Sequence, residues 1–139
     1  MIYAILIFLE NGMLLVEAMF EKLQLDNVLI AGFATAMNQF GIKIFPEDEE
    51  LEDIVFTRHH IMFQKFRVQD KEIIMLNIHD KSEQHLILKK INQEIFWEIK
   101  QKFSHAFLKE LIELNQFRGI NERIEAIFAK EHRKEVLLK

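Results

Sequence analysis

The sequence predicts an α/β (α+β) fold: a three-layer α-β-α sandwich around a five-stranded, mostly antiparallel sheet, with the element order β-β-α-β-β-β-α-α. Residues 2–9 form an unbroken apolar run followed by Asn11-Gly12, which is a strong signal for a β-hairpin. Residues 54–79 contain three strand-like segments joined by short connections, which favours antiparallel neighbours. From Ser82 onward, apolar residues recur every four positions, which indicates helix.

The first strand is predicted to be central. Both of its alternating sets of side chains, one starting at Ile2 and the other at Tyr3, are apolar, so both faces of the strand should be covered. Residues 13–20 return as the second strand. Glu17 is the only charged residue in that strand and is therefore predicted to face solvent.

An uncharged helix is predicted next, because the sixteen residues between Asp26 and Lys43 carry no charge. Asp26 or Asn27 can cap its start and Gly41 its end, which gives a helix of about thirteen residues. The face with the larger apolar residues should dock on the sheet; it consists of Leu29, Phe33, Ala36, Met37 and Phe40. The opposite face carries small or uncharged residues, namely Val28, Ala31, Ala34, Thr35 and Asn38.

This second, uncharged face is also expected to be covered, either by another chain or by the rest of the same domain. A membrane span would need about 20 apolar residues, whereas this run is shorter and contains two Asn, one Gln and one Thr. We favour another chain, and Gly32 would let its backbone approach closely. The interface candidates are Val28, Ala31, Ala34, Thr35 and Asn38 of the helix, with Ile54 and Phe56 of the following strand.

Three further strands are predicted at residues 54–57, 61–67 and 72–79, connected by Arg58-His59-His60 and by residues 68–71. The last strand is apolar apart from Asn77 and His79, which places it beside the first strand, with the 54–57 strand near an edge. The six acids within residues 47–53 predict a solvated loop, since the ligand spacing and central glycine of a calcium-binding loop are missing.

Two helices are predicted to complete a single domain spanning residues 1–139. The first is a long helix over about residues 82–115, in which Asp80 and Glu83 resemble a capping box and Trp97 is assigned to the core. Its apolar stripe consists of Ile87, Ile91, Ile95, Ile99, Phe103, Phe107 and Leu111. The second covers about residues 120–136, after Gly119, and should pack on the long helix through Ile120, Ile124, Ile127 and Phe128.

Charge and composition exclude several classes of function. The net charge is −4, and neither half of the chain is basic enough to predict nucleic-acid binding. Cysteine is absent, and the N-terminus lacks the basic region of a signal peptide, so a cytoplasmic location is expected. No phosphate-binding loop, nucleophile elbow or zinc-binding helix occurs. We therefore expect no enzymatic activity, cofactor or metal, and interpret His59 and His60 as turn or surface residues.

The element order resembles that of the longin-like domains, close to their roadblock and sedlin-type trafficking relatives and most of all to archaeal versions. The resemblance rests on residues 5–8, the Asn11-Gly12 turn, residues 29–33 continuing to Ala36 and Phe40, and the phenylalanine-rich long helix. Roadblock domains begin with an extra helix, whereas this chain begins on a strand, which favours the longin branch.

The resemblance implies a non-enzymatic platform that dimerises or docks other proteins, often through its first helix and the neighbouring edge strand. The expected partners are a second copy or a related domain, together with a small GTPase, and neither nucleic acid nor direct membrane insertion is expected. The alternative is a small-ligand sensor. A sensor would need a polar pocket inside an apolar shell, for which Glu17, Asn77 and His79 are the candidate residues.

Overall fold

Five strands and three helices follow the predicted order in a computed structural model, which describes residues 2–20, 26–45, 51–81, 85–103, 105 and 119–138. The strands are β1 (Ile2–Leu9), β2 (Leu14–Met19), β3 (Asp53–Val55), β4 (His59–Val68) and β5 (Lys71–Asp80). The helices are α1 (Asn27–Ile44), α2 (His85–Lys102) and α3 (Ile120–Leu138). The predicted fold class and element order are confirmed.

The strands form one sheet in the order β2-β1-β5-β4-β3, and every neighbouring pair is antiparallel. β1 and β5 lie in the interior, where Leu6 is opposite Leu76 and both are fully buried. The prediction that β5 lies beside β1, with the strand around Ile54 at an edge, is confirmed. His59 and His60, predicted as a connection, are instead the first two residues of β4, because they pair with the end of β5.

The β1–β2 hairpin turns where Asn11-Gly12 predicted it. Gly12 has a φ of 94°, a conformation that costs other residues energy, and its N–H donates to the carbonyl of Leu9 at 2.9 Å. The Asn11 side chain accepts a hydrogen bond from the N–H of Met13 at 3.0 Å. A Cβ at position 12 would lie 3.3 Å from the Oγ1 of Thr35, so the turn also packs closely against α1.

The helices cover both faces of the sheet, which makes the three layers. One face packs with α1 around a core that includes Ala4, Leu6, Phe8, Phe63, Ile74, Leu76 and Ile78. The other packs with α2 and α3 around a core that includes Ile5, Ile7, Val16, Met75, Ile91, Ile95, Ile99, Ile120 and Ile124. Within the described ranges, no helix is both long and apolar enough to cross a membrane.

The first helix is longer than predicted. The carboxylate of Asp26 accepts a hydrogen bond from the N–H of Leu29 at 3.1 Å and so caps the start. Gly41 does not end the helix. The helix continues to Ile44, and the N–H of Phe45 donates to the carbonyl of Gly41 at 3.0 Å.

The second helix is described from His85 to Lys102, whereas the prediction extended it over about residues 82–115. Residues 82–84 and 106–118, which include Glu83, Phe107 and Leu111, lie outside the described part of the chain. The predicted stripe faces inward, as Ile91, Ile95 and Ile99 are buried. The assignment of Trp97 to the core is wrong, because a position two residues after Ile95 lies about 200° around the helix and the Trp97 side chain is 56% exposed.

Two buried amides join α2 to the sheet. Asn77 of β5 donates to the side-chain oxygen of Asn92 at 2.9 Å, and Asn92 donates to the side-chain oxygen of Asn77 at 2.7 Å. Asn92 also donates to the side chain of Gln64 in β4. Buried amides require such partners, so the network fixes one position of α2 on the sheet.

Candidate protein-interaction surface

The face of α1 that packs on the sheet carries the small side chains. Ala31 and Ala34 are buried in the core that contains Leu6 and Phe8, and Asn38 is buried as well. The prediction that these three residues face outward is therefore wrong. Because the sheet already presents bulky side chains here, small residues on the helix allow the two layers to approach closely.

The other two residues predicted for the outward face differ from one another. Thr35 is half-buried, and its hydroxyl donates to the carbonyl of Ala31 at 2.8 Å while its side chain lies against Gly12. Val28 is exposed. Of the five predicted residues, Val28 is thus the one that the structure places toward solvent.

Large apolar residues occupy the outer face of α1, although their size predicted contact with the sheet. Leu29 is 69% exposed and Phe40 is 58% exposed. We call this surface the outer stripe; it consists of Leu29, Phe33, Ala36, Met37, Phe40 and Ile44, all of them exposed. The predicted orientation of the helix is therefore wrong, and the residues of the outer stripe were not among the predicted interface residues.

The outer stripe is unusual for a solvent-facing helix. Seven of the twelve exposed large hydrophobic side chains among the described residues lie on α1 or on Phe45, the residue that caps it. Lys43 is the only charged residue of the helix. A phenylalanine carries about 150–250 Å² of surface, so Phe33, Phe40 and Phe45 alone expose on the order of 300 Å². Patches beyond a few hundred Å² mark interaction sites.

The spacing within the outer stripe suits contact with another helix. Leu29, Phe33, Ala36 and Phe40 are separated by four, three and four residues, the alternation that forms a seam between paired helices. This spacing is the sequence signal that could have identified the stripe. Gly32 is exposed beside the seam, and a Cβ there would meet nothing within 4 Å. The helix therefore leaves room for a close neighbour at this point.

The edge strand β3 and Phe56, the residue that follows it, add exposed apolar side chains. Phe56, a predicted interface residue, is exposed, as is Val55, whereas Ile54 is half-buried against the α1-side core. The N–H of Phe63 donates to the carbonyl of Glu52 at 2.8 Å, just before β3 begins. β3 has three residues, a length typical of sheet edges that limit pairing with unrelated chains.

The polar residues proposed for a sensor pocket are not brought together. Glu17 is exposed and lies opposite Leu6, on the face that α1 covers. Asn77 and His79 are fully buried, and Asn77 lies opposite Ile5, on the face that α2 and α3 cover. The sheet separates Glu17 from Asn77, so the three do not line one cavity.

Two histidines, His60 and His79, lie close together at the end of the sheet. The Nε2 of His60 lies 2.8 Å from the carboxylate of Asp53, and its ring centre is 4.9 Å from that of His79. The ring of His59 lies 5.4 Å from that of Tyr3. Across the described ranges, no group of three or more histidine, aspartate or glutamate side chains is arranged to hold a metal ion.

No protein-family model matches the sequence, and no curated protein matches it either. Among solved structures, Myxococcus xanthus MglB is similar, with a TM-score of 0.55 and 15% sequence identity over 75% of this chain and 85% of the matched chain. At this identity the similarity concerns the fold alone, and it supports a fold of the longin and roadblock type. The archaeal part of the resemblance stays a prediction.

Proposed function

We propose that this chain is a non-enzymatic interaction platform that dimerises through the outer stripe of α1, with a second copy or a related domain as its partner. The observation that carries this proposal is the uncharged apolar surface centred on Phe33 and Phe40. The longin-like resemblance supports it, because such domains commonly use the corresponding helix. In this proposal the assembled pair docks a small GTPase, and the protein acts in the cytoplasm.

The energetics require several stripe residues to be buried together. Burying one large apolar side chain is worth about 1.5–3 kcal/mol, while association costs about 4–15 kcal/mol. One side chain cannot meet that cost and two reach only its lower end, whereas Leu29, Phe33 and Phe40 with their apolar neighbours can exceed it. The outer stripe adds no acidic group that would have to be desolvated.

The oligomeric state tests the proposal. Wild-type protein should sediment as a dimer at micromolar concentration, or be recovered in a complex with a related domain. Ala36→Glu places a charge in the seam and should abolish the association with the fold unchanged. Gln39→Glu is the matched control, because Gln39 lies about 100° around the helix from Phe40. Equal association of the two variants would exclude the outer stripe as the interface.

Docking of a GTPase is tested separately. Small GTPases loaded with GDP or with a non-hydrolysable GTP analogue should bind the wild-type assembly and not the Ala36→Glu monomer, if the pair forms the docking surface. The protein itself should release no phosphate from GTP. Binding to the monomeric variant at wild-type affinity would show that the GTPase site does not depend on assembly.

A further inference from the structure

A groove lies between α2 and α3, on the side of the sheet opposite α1. Its volume is about 690 Å³, and its apolar lining includes Trp97 of α2 with Ala126 and Ile127 of α3. Trp97 and Ala126 are exposed to solvent. An exposed indole in a concave apolar surface is typical of the anchoring pockets of protein interfaces.

The charges around the groove are asymmetric. Its two acids are already paired with bases. The Nζ of Lys130 in α3 lies 3.1 Å from the carboxylate of Glu94, while that of Glu98 lies 3.4 Å from the Nζ of Lys102 in α2 and 3.9 Å from the Nε of Arg123 in α3. Lys90 is a third base in the lining, and the Nζ of Lys100 lies 6.0 Å from the centre of the Trp97 ring. Bases therefore outnumber acids around the groove.

We propose that this groove binds an acidic amphipathic α-helix of a partner protein. The apolar residues of that helix would pack against Trp97 and Ala126, and its carboxylates would approach Lys90 and the two α3 bases. A third helix laid between two others is a recurrent mode of recognition, and opposite charge steers and orients such a partner. This surface is separate from the outer stripe of α1.

The geometry favours a helix over a polyanion. The groove is concave, whereas a membrane surface contacts protruding residues. Glu94 and Glu98 lie within the groove and would repel closely spaced phosphates, so nucleic acid is disfavoured. A separate acidic helix can place its carboxylates over the bases and its apolar face over the region near Trp97.

The test uses a display library of tryptophan-free helical peptides that share an apolar stripe and differ in charge. Selection on the full chain should enrich peptides with a net negative charge. Trp97 is the only tryptophan, so binding of an enriched peptide should shift the protein emission to shorter wavelength. The affinity should fall as salt is raised.

Matched variants locate the site. Ala126→Glu should weaken binding of the enriched peptide at least tenfold, with circular dichroism unchanged. Ala36→Glu, in the helix layer on the opposite face of the sheet, should lose self-association but bind the peptide at wild-type affinity. Failure of the groove to bind the peptide is therefore distinguishable from failure of the proposed dimerisation. Enrichment of basic peptides, equal binding by Ala126→Glu, or an equal emission shift with anionic vesicles would overturn the proposal, as would the absence of any enrichment.

Discussion

Asn77 and Asn92 exchange two side-chain hydrogen bonds inside the protein, and both residues are fully buried. One belongs to the central strand β5 and the other to α2, so the pair joins two layers of the sandwich. Apolar contacts alone would allow α2 to shift along the sheet. The reciprocal amide bonds form only in one position, which also sets where Trp97 and the groove beside α3 lie.

Removing one member of this pair should lower the unfolding free energy. Asn92→Ala leaves the amide of Asn77 without its partner, and an unsatisfied buried polar group costs about 1–3 kcal/mol. We expect urea denaturation to show a loss of about 2–3 kcal/mol in unfolding free energy. Gln93→Ala, at the next and exposed position, should change it by less than about 0.5 kcal/mol. Similar values for the two variants would contradict the structural role of the amide pair.

The same substitution should have opposite consequences at two positions of α1. Ala31 is fully buried whereas Ala36 is exposed. Ala31→Glu would bury an unpaired charge, at a cost of several kcal/mol, and should give a protein that is unfolded or aggregated by circular dichroism. Ala36→Glu should retain the wild-type spectrum as a folded monomer, with a melting temperature lowered only by the lost contribution of assembly. A folded Ala31→Glu protein would show that the helix orientation is wrong.

Substitution by alanine should change the unfolding free energy in opposite directions at two glycines. Gly12→Ala forces a side chain into a positive-φ conformation close to Thr35 and should lower the unfolding free energy by about 1–2 kcal/mol. Gly32→Ala meets open space in a helix and should raise the stability of the monomer by up to about 1 kcal/mol. Thermal melts of both variants in the Ala36→Glu background remove the contribution of assembly.

Glu10 should make stability depend on pH. Burial raises the pKa of Glu10, and its hydrogen bond to Glu72 and the charge of Glu72 raise it further, while Lys65 and Arg67 act in the opposite direction. Below the ordinary carboxyl pKa of about 4 the group is neutral in both folded and unfolded chains. As the pH rises through the higher folded-state pKa, ionisation disfavours the fold.

Glu10→Gln mimics the protonated acid, since its amide can still donate to Glu72. Its melting temperature should match that of the wild type near pH 3 and exceed it slightly at pH 7, where solvent limits the effect. Gln93→Ala, at an exposed position without a titratable group, is the control and should show no such divergence. A Glu10→Gln protein that is less stable than the wild type at pH 7 would contradict the assignment.

The sheet and the order of its strands were predictable because local signals were strong. The unbroken apolar run of β1 required cover on both faces, and Asn11-Gly12 specified the turn. The connection between β4 and β5 is Gln69-Asp70, at which Gln69 has a φ of 59°. Its short length fixed the antiparallel pairing that the sequence predicted.

The face of α1 was not predictable from hydrophobicity, because both of its faces are apolar. The size of Phe33 and Phe40 predicted contact with the sheet, yet the layer beneath α1 is already filled by bulky side chains such as Phe8, and Ala31 and Ala34 fit it. Trp97 was misplaced for a different reason. Trp97 lies two residues after Ile95, and this spacing already predicts a side chain that faces away from the buried stripe.

The sheet order also has a consequence for synthesis. β1 closes its hairpin with β2 at once, but its other edge pairs with β5, which ends more than seventy residues further along the chain. At about 5–20 residues per second, a ribosome needs roughly 4–14 s to supply that strand. Until then β1, which is apolar on both faces, has an open edge, and such an edge can pair with another chain.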